Sequence, residues 1–555
     1  MQAEQTQMKD FIEDNFFIIT PDNLGQVTSR IYGYAWEGDQ IYLNSALNSQ
    51  LSEGADGTFI SIASSNGLIK IDQSFFSPGL HYFRHNDWFA ISNSFFYLLE
   101  YLLGKFPLTF NDDYATWYQA NTGAYFQYEE TMIKEINTLP KSYLAVIDKA
   151  EKRLDFVRKK QRPRLALNSP EGTGLLDAWQ IKWSRRIAQM QRGCSVEASL
   201  SGGFDSRAAL AIFNSPFIDL NSPHIRFASY GGEQHTFKED LAVATAIAQR
   251  YGFRLNIIDP KAEQTNLAPE MAMKISFLCK LGFHSHFNFR NKYVQNTLFR
   301  VGGNGGEVLR GYWEEDVQNF VSTKSRYCRM KSLDAADSSR KIIVRSLAGI
   351  RRDYGIQDEN DGQAVHLLLE NGYLQNHFAR YSYEHFLYGK VTLTPLIDPD
   401  LHSLDPLAGG NRDRNLFMAL IYTRYLPEIL DIPLDSGKAI APATMALAKA
   451  INEKYPRQAV SAETVGQLTI NDQRKALSIP AAGEKTNGAA DLLLELFKSK
   501  KSSIQGLFGK HVYYEALRRS AEDIWYADAF CTTLLAAAII KDMLDGKPAS
   551  RQGIN

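Results

Sequence analysis

Val196-Glu-Ala-Ser-Leu-Ser-Gly-Gly-Phe-Asp-Ser-Arg207 is the stretch whose reading decides the fold. A short apolar run ends in Leu200-Ser201-Gly202-Gly203-Phe204-Asp205-Ser206, and a helical pattern, Arg207-Ala-Ala-Leu-Ala-Ile-Phe213, follows at once. The pattern predicts a strand, a tight turn and a helix start. Two adjacent glycines let the backbone pass close to a ligand and adopt angles that other residues resist. Free N–H groups at the helix start would face that ligand, and the helix dipole favours an anion there. Ser201 and Ser206 add hydroxyl donors. Asp205 is a carboxylate beside the same anion, an arrangement that suits a bridging Mg2+.

Working outward, the pattern around this stretch is α/β. A helix over Gly174 to Arg192 leads into the loop strand. A second strand, Ile225 to Tyr230, ends in Gly231-Gly232. A helix over Lys238 to Tyr251 precedes a strand at Arg254 to Ile258. Strands alternating with helices predict a doubly wound parallel sheet with ligands at the strand C-termini. After about residue 400 the pattern is mostly helical. Before about residue 155 it is β-rich, with short alternating segments at Gly57 to Ala63, Gly67 to Asp72, Gly79 to Arg84 and Asp87 to Asn93. A helix follows at Phe95 to Leu103, and Ile136 to Asp148 reads as a turn into an edge strand. Arg158 to Pro170 is basic, proline-bearing and non-periodic, and reads as a linker or a long surface loop.

The bulk numbers fit two or more domains, because 555 residues exceed what one core holds. Hydrophobic residues make up 44% and charged residues 22%, as in an ordinary globular protein. A net charge of −1 gives no electrostatic footprint for nucleic acid. The apolar run Cys531 to Ile540 is too short to span a bilayer, so no membrane role is expected. No signal peptide is visible. Cys194, Cys279, Cys328 and Cys531 are scattered, without a Cys-x-x-Cys pair, which points to neither a cysteine zinc site nor a disulfide framework. A reducing, cytoplasmic location is expected.

The Ser201 to Ser206 string lacks the lysine of the Walker-type cradle. It resembles the pyrophosphate loop of the ATP pyrophosphatase superfamily, whose members attack the α-phosphorus of ATP and release pyrophosphate. The order of features along most of the chain resembles the glutamine-dependent asparagine synthetase family, including its β-lactam synthetase and lasso-peptide cyclase relatives. Asp72 through Gly79-Leu-His-Tyr-Phe83 and Phe89-Ala-Ile-Ser-Asn-Ser94 look like segments of that family's N-terminal domain. The resemblance implies an N-terminal-nucleophile-like α/β sandwich over 1–158 and a synthetase domain over 171–555, built on a parallel sheet with a helical extension. The chain departs from the family at the front. The glutaminase nucleophile is an N-terminal cysteine, activated by its own amine. Residue 2 here is Gln2, and the first cysteine is Cys194. A degenerate amidotransferase-like domain without glutaminase activity is expected.

In the second half, Val301-Gly-Gly-Asn-Gly-Gly-Glu-Val-Leu-Arg-Gly-Tyr312 resembles a family loop that lies near the phosphates. The resemblance implies that Gly303 and Gly305 shape this loop and that Glu307 joins Asp205 on Mg2+, with Asn304 standing where the family has an aspartate. Gly389 to Leu401 resembles the acceptor-side segment and keeps Pro395 and Asp398, while Val391 and Leu393 replace a glutamate and an arginine. Lys438 corresponds to the family's lysine that neutralises charge on the phosphorus or the departing pyrophosphate.

The expected nucleotide contacts are Leu200, Ser201, Gly202, Gly203, Asp205, Ser206, Ser229, Tyr230, Gly303 and Gly305, with ATP and Mg2+ as cofactors. Glu307 and Lys438 are the expected catalytic residues. Smaller candidates are Glu239 and Asp240, which also read as dipole-compensating residues of a first helical turn. His284 and His286 read as core or surface histidines or as substrate contacts, and Tyr383 with Glu384 as a base or a plain helix face. The activity implied is ATP-dependent adenylation of a small-molecule or peptide carboxylate, followed by amide formation with ammonia or an amine. A homodimer, or a partner protein supplying substrate, is left open. The alternatives are an adenylating enzyme with a non-nitrogen nucleophile and a nucleotide-binding scaffold without turnover.

Overall fold

Alternation of side chains sets the first part of the molecule. Leu68-Ile-Lys-Ile-Asp-Gln73 buries every second residue, which places Ile69 and Ile71 on one face of a strand. The computed structural model describes residues 2–47, 50–52, 54–65, 67–120, 126–232, 235–259, 269–281, 283, 297–310, 316–326, 333–358, 361–405, 415–435, 439–458, 465–474, 488–522 and 524–546. Helix α1 (Gln2–Asn15) leads into ten strands: β1 (Ile18–Ile19), β2 (Arg30–Glu37), β3 (Gln40–Leu43), β4 (Asp56–Ser64), β5 (Leu68–Gln73), β6 (Leu80–His85), β7 (Trp88–Ser92), β8 (Ile136–Leu139), β9 (Tyr143–Asp148) and β10 (Arg153–Arg158). Helices α2 (Phe95–Leu102) and α3 (Asp112–Ala120) lie between β7 and β8.

These strands make two antiparallel sheets, one in the order β1-β7-β6-β8 and the other β10-β9-β5-β4-β2-β3. Ile60, Ile62, Ile69, Ile71 and Ile147 from the larger sheet share a buried cluster with Leu80, Phe89, Ile91 and Leu139 from the smaller one. The two sheets therefore face each other across a common core. Ile136 to Asp148, expected as a turn into an edge strand, is instead two strands in different sheets. β9 is internal, flanked by β5 and β10, because Arg153–Arg158 supplies a further pairing partner.

The stretch expected as a linker is held down. It carries β11 (Leu165–Ala166) and two arginines in ion pairs, Arg162 with Asp400 and Arg164 with Glu370. It ends in a helix start, where Ser169 accepts from the Gly172 N–H (2.9 Å) and Pro170 takes the first turn. Helix α4 (Pro170–Met190) thus begins four residues before the expected start.

Five parallel strands follow: β12 (Ser195–Ser199), β13 (Ile225–Tyr230), β14 (Leu255–Ile258), β15 (Leu298–Val301) and β16 (Lys390–Leu393). Their order across the sheet is β14-β13-β12-β15-β16. The intervening helices are α5 (Phe204–Leu210), α6 (His235–Tyr251), α7 (Pro269–Lys280), α8 (Gly306–Leu309), α9 (Val317–Arg326), α10 (Leu333–Tyr354), α11 (Gln363–Leu368) and α12 (Arg380–Leu387), with a wide-turn π-helical segment, Leu369–Ala379, between the last two. β17 (Leu404–Asp405) pairs with β11, and β18 (Thr469–Asp472) returns to lie parallel to β3. The rest is mainly helical. The molecule is a mixed α/β protein with both parallel and antiparallel sheets.

The two sheet systems touch directly. The Tyr34 hydroxyl donates to the Thr392 carbonyl (2.9 Å, buried), so β2 is fastened to β16. One apolar cluster runs from Phe11, Tyr34 and Trp36 to Leu393 and Leu396. No helix among the described residues is long and apolar enough to cross a membrane.

Candidate functional site

In the parallel sheet the chain leaves β12 toward β13 on one side and later returns to β15 on the other. The gap between β12 and β15 is therefore the topological switch point, where open α/β sheets bind ligands outside the strand C-termini. The two loops leaving these strands are the two glycine-rich stretches, Leu200–Gly203 after β12 and Gly302–Gly305 after β15.

The first loop is a knot of polar contacts. The Leu200 N–H extends the sheet ladder to the Ala228 carbonyl (2.8 Å). The Ser201 N–H donates to the Ser206 Oγ (3.0 Å), and the two hydroxyls lie 2.9 Å apart. The Gly203 N–H donates to the Ser201 Oγ (3.4 Å) and begins α5. The Gly202 N–H donates to an Asp240 carboxylate oxygen (2.8 Å). α6 begins at His235, three residues before the expected Lys238, so Glu239 and Asp240 lie beyond its first turn and do not offset its dipole; the Asp240 oxygen instead sits where an oxyanion could meet this N–H. Sequence reasoning had no signal for that contact, which joins residues 38 positions apart.

The second loop lies on the first. A Cβ at Gly303 would overlap the Asp205 carbonyl carbon and the Ser206 nitrogen. Gly305 has φ +89°, in the left-handed region that favours glycine, with Ile397 filling the space beside it. This close approach brings Glu307, in the single turn α8, beside Asp205. Glu307 accepts from the Tyr373 hydroxyl (3.2 Å). Burial first, and then the charge of Asp205, pushes the Glu307 carboxyl up to about 7. A carboxyl raised by a neighbouring carboxylate suits a cation shared between the two, so the donor set fits Mg2+.

Arg310 competes for that task. Its guanidinium holds Asp205 in two contacts, Nε–Oδ1 3.0 Å and Nη2–Oδ2 3.2 Å. Three other groups frame the site and were not foreseen. Arg300 on β15 donates to the Ser199 Oγ (2.8 Å) and the Tyr230 hydroxyl (3.4 Å), a cation between the ends of β12 and β13. The Tyr422 hydroxyl donates to the Phe204 carbonyl (2.6 Å). Arg207 donates to the carbonyls of Ile432 (2.8 Å) and Pro433, while the Asp435 N–H reaches the Gly202 carbonyl (3.2 Å). Ser229 near the end of β13 is buried, and its hydroxyl has no hydrogen-bond partner.

The remaining candidates fall elsewhere. Lys438, His284 and His286 lie outside the described residues. Pro395 and Asp398 serve as anchors. The Pro395 carbonyl accepts from the Trp179 indole (2.8 Å), and Asp398 accepts from Trp183 (2.6 Å) and pairs with Lys182 (2.7 Å). Tyr383 and Glu384 diverge. The Tyr383 hydroxyl donates to the Asn15 carbonyl (2.6 Å), while Glu384 forms a fully buried pair with Lys280 (2.6 Å). The two do not combine into a base, because successive helix positions face about 100° apart.

Compared with known proteins, the chain matches no family model, and no curated protein matches it.

Proposed function

We propose that this chain is an ATP-dependent carbon–nitrogen ligase that adenylates a carboxylate, releases pyrophosphate and joins the acyl group to ammonia or an amine. The observation that carries this reading is the contact of two glycine loops at the switch point, with Glu307 set beside Asp205. In this reading residues 1–158 are a degenerate glutamine-amidotransferase-like sandwich, and 171–555 are an asparagine synthetase-like domain. The facing antiparallel sheets and the five-stranded parallel sheet support that division. Residue positions that match the superfamily loop supply the rest of the support.

Ser201, Gly202, Gly203 and Ser206 present hydroxyl and N–H donors to the β- and γ-phosphates, and the bare backbone of Gly303 lets the second loop close over them. Asp205 and Glu307 would hold Mg2+, which when bound offsets phosphate charge. Ser229 and Tyr230 line the side where the nucleoside would rest. A substrate carboxylate oxygen bonds to the α-phosphorus as the bond to the bridging oxygen breaks, and pyrophosphate leaves with that electron pair. An amine nitrogen then bonds to the acyl carbon, AMP departs, and the nitrogen loses a proton. Lys438 and Arg300 are the cations assigned to the developing negative charge, where a fixed positive group is worth several kcal/mol. Without a glutaminase, the nitrogen comes from free ammonia, a separate protein or an amine on a substrate.

A second reading, a nucleotide-binding scaffold without turnover, is favoured by one observation: Asp240 and Arg310 already satisfy the Gly202 N–H and Asp205. Pyrophosphate release, assayed with ATP, Mg2+ and a panel of carboxylates, separates the two. The ligase releases pyrophosphate with at least one acid, and product mass then depends on the amine. A scaffold binds ATP and releases none.

A further inference from the structure

Across the junction of α11 and the π-helical segment, the chain reads His366-Leu-Leu-Leu-Glu370. The i, i+4 spacing puts both side chains on one face. His402, on the short turn Leu401–Ser403 that follows the Pro395–Asp398 anchor, meets them from the other side. The three donor atoms lie within 4.8 Å of one another. His366 Nε2 is 2.9 Å from Glu370 Oε1, and His402 Nδ1 is 3.2 Å from the same oxygen.

The surrounding partners fix one nitrogen of this cluster. His402 Nε2 lies 3.1 Å from the Leu396 carbonyl, which can only accept, so that nitrogen carries the proton. In the neutral ring Nδ1 is then a bare lone pair, and it faces a carboxylate oxygen. Arg164 pairs with the other Glu370 oxygen at 2.8 Å. On the other flank, His366 Nε2 is buried and is not aligned in a hydrogen bond, close as it is to Glu370 Oε1. Two imidazole nitrogens and one carboxylate oxygen thus converge on a single point, as the ligands of one cation would.

We propose that His366 Nε2, Glu370 Oε1 and His402 Nδ1 form a zinc site. Bonds of about 2.0–2.1 Å to Zn2+ would set tetrahedral donor separations of roughly 3.4 Å. The observed 2.9 and 3.2 Å need only a few tenths of an ångström of opening. The supporting shell also has the pattern of a metal site. The second nitrogen of His402 is fixed by a backbone carbonyl, and the second oxygen of Glu370 is held by Arg164 at 2.8 Å. Two imidazoles and one carboxylate select zinc over Mg2+ or Ca2+, which take all-oxygen sets. Water takes the fourth position, and the partly exposed His366 gives the approach from solvent. Arg164 adds a positive charge nearby, and the Lys141 ammonium contacts the Glu370 carbonyl (3.1 Å). The ion would join α11, the start of the π-helical segment and the Leu401–Ser403 turn, and so act as a staple beside the parallel sheet.

The test uses the full chain, stripped with chelator and titrated with Zn2+ against a competing dye, and with Co2+ by visible absorption. The expected result is one tight equivalent, a tetrahedral Co2+ spectrum, a higher thermal midpoint with Zn2+, and no competition from Mg2+. His366→Ala, chosen because its side chain is partly exposed, should keep the circular dichroism spectrum. It should weaken Zn2+ binding by more than the ~10–100-fold that loss of an outer-shell partner costs, and abolish the midpoint shift. His402→Gln should do the same. Absence of tight binding in the parent chain overturns the proposal. So does Zn2+ binding that is equal in the parent chain and folded His366→Ala.

Discussion

Glu307→Gln isolates the electrostatics on which the site depends. The Glu307 carboxyl stands at about 7 in the folded chain, against 4.5 in the free residue, through burial and the neighbouring Asp205 charge. As pH rises from about 4.5 to 7, the unfolded chain gives up this proton before the folded one does. The stability this group contributes is therefore fully present below about pH 4.5 and lost as pH passes 7. A shift of about 2.5 units corresponds to roughly 3 kcal/mol. The side chain keeps some solvent contact, which reduces the expected effect to about 1–2 kcal/mol. Glutamine preserves the acceptor for the Tyr373 hydroxyl and does not titrate. The variant should match the parent chain near pH 4.5 and exceed it by about 1–2 kcal/mol at pH 8. Mg2+ at pH 8 should narrow that gap, because a cation between the carboxylates relieves only the parent chain. Urea unfolding across this pH range, with and without Mg2+, reads both effects. A gap that is constant with pH, or a parent chain that is the more stable at pH 8, would refute the reasoning.

Two other outcomes follow from named contacts. Gly303→Ala sets a methyl group into the backbone of Asp205 and Ser206, so ATP affinity by calorimetry should fall more than about tenfold, with secondary structure unchanged; unaltered affinity would place the ligand elsewhere. Asp177 accepts from Arg424 (2.7 and 2.6 Å) and from the Tyr425 hydroxyl (2.7 Å) with both charges buried. Asp177→Ala should cost about 3–5 kcal/mol by denaturant unfolding, and a loss below about 1 kcal/mol would mean that Arg424 finds other partners sufficient.

Local signals carried much of this architecture. Alternation located β4 to β7, and the strand–glycine–helix pattern located β12, β13 and the start of α5. The start of α4 was expected at Gly174, four residues late, because Ser169 and Pro170 were read as the end of the linker and not as its cap. What the sequence hides are pairings made at long range. β18 joins β3 from more than 400 residues away, and β9 is internal only because Arg153–Arg158 pairs beside it. The site divides in the same way. The two loops were expected separately, Ser201 to Ser206 from the strand–glycine–helix pattern and Gly303 to Glu307 from the family resemblance, and the structure packs one on the other. The roles of Asp240, Arg300 and Arg310 were not legible, since they arise only when separate strands and helices converge. His366 and Glu370 carried a readable i, i+4 spacing, but His402 lies 32 residues beyond Glu370 and gave no sign of joining them.

Titration of ATP into the full chain in magnesium buffer, followed by calorimetry, tests the switch-point site most directly. The account requires one saturable site, displaced by pyrophosphate, weakened when Mg2+ is withheld and lost in Asp205→Ala. Absence of binding, or binding indifferent to both pyrophosphate and Asp205→Ala, would contradict it.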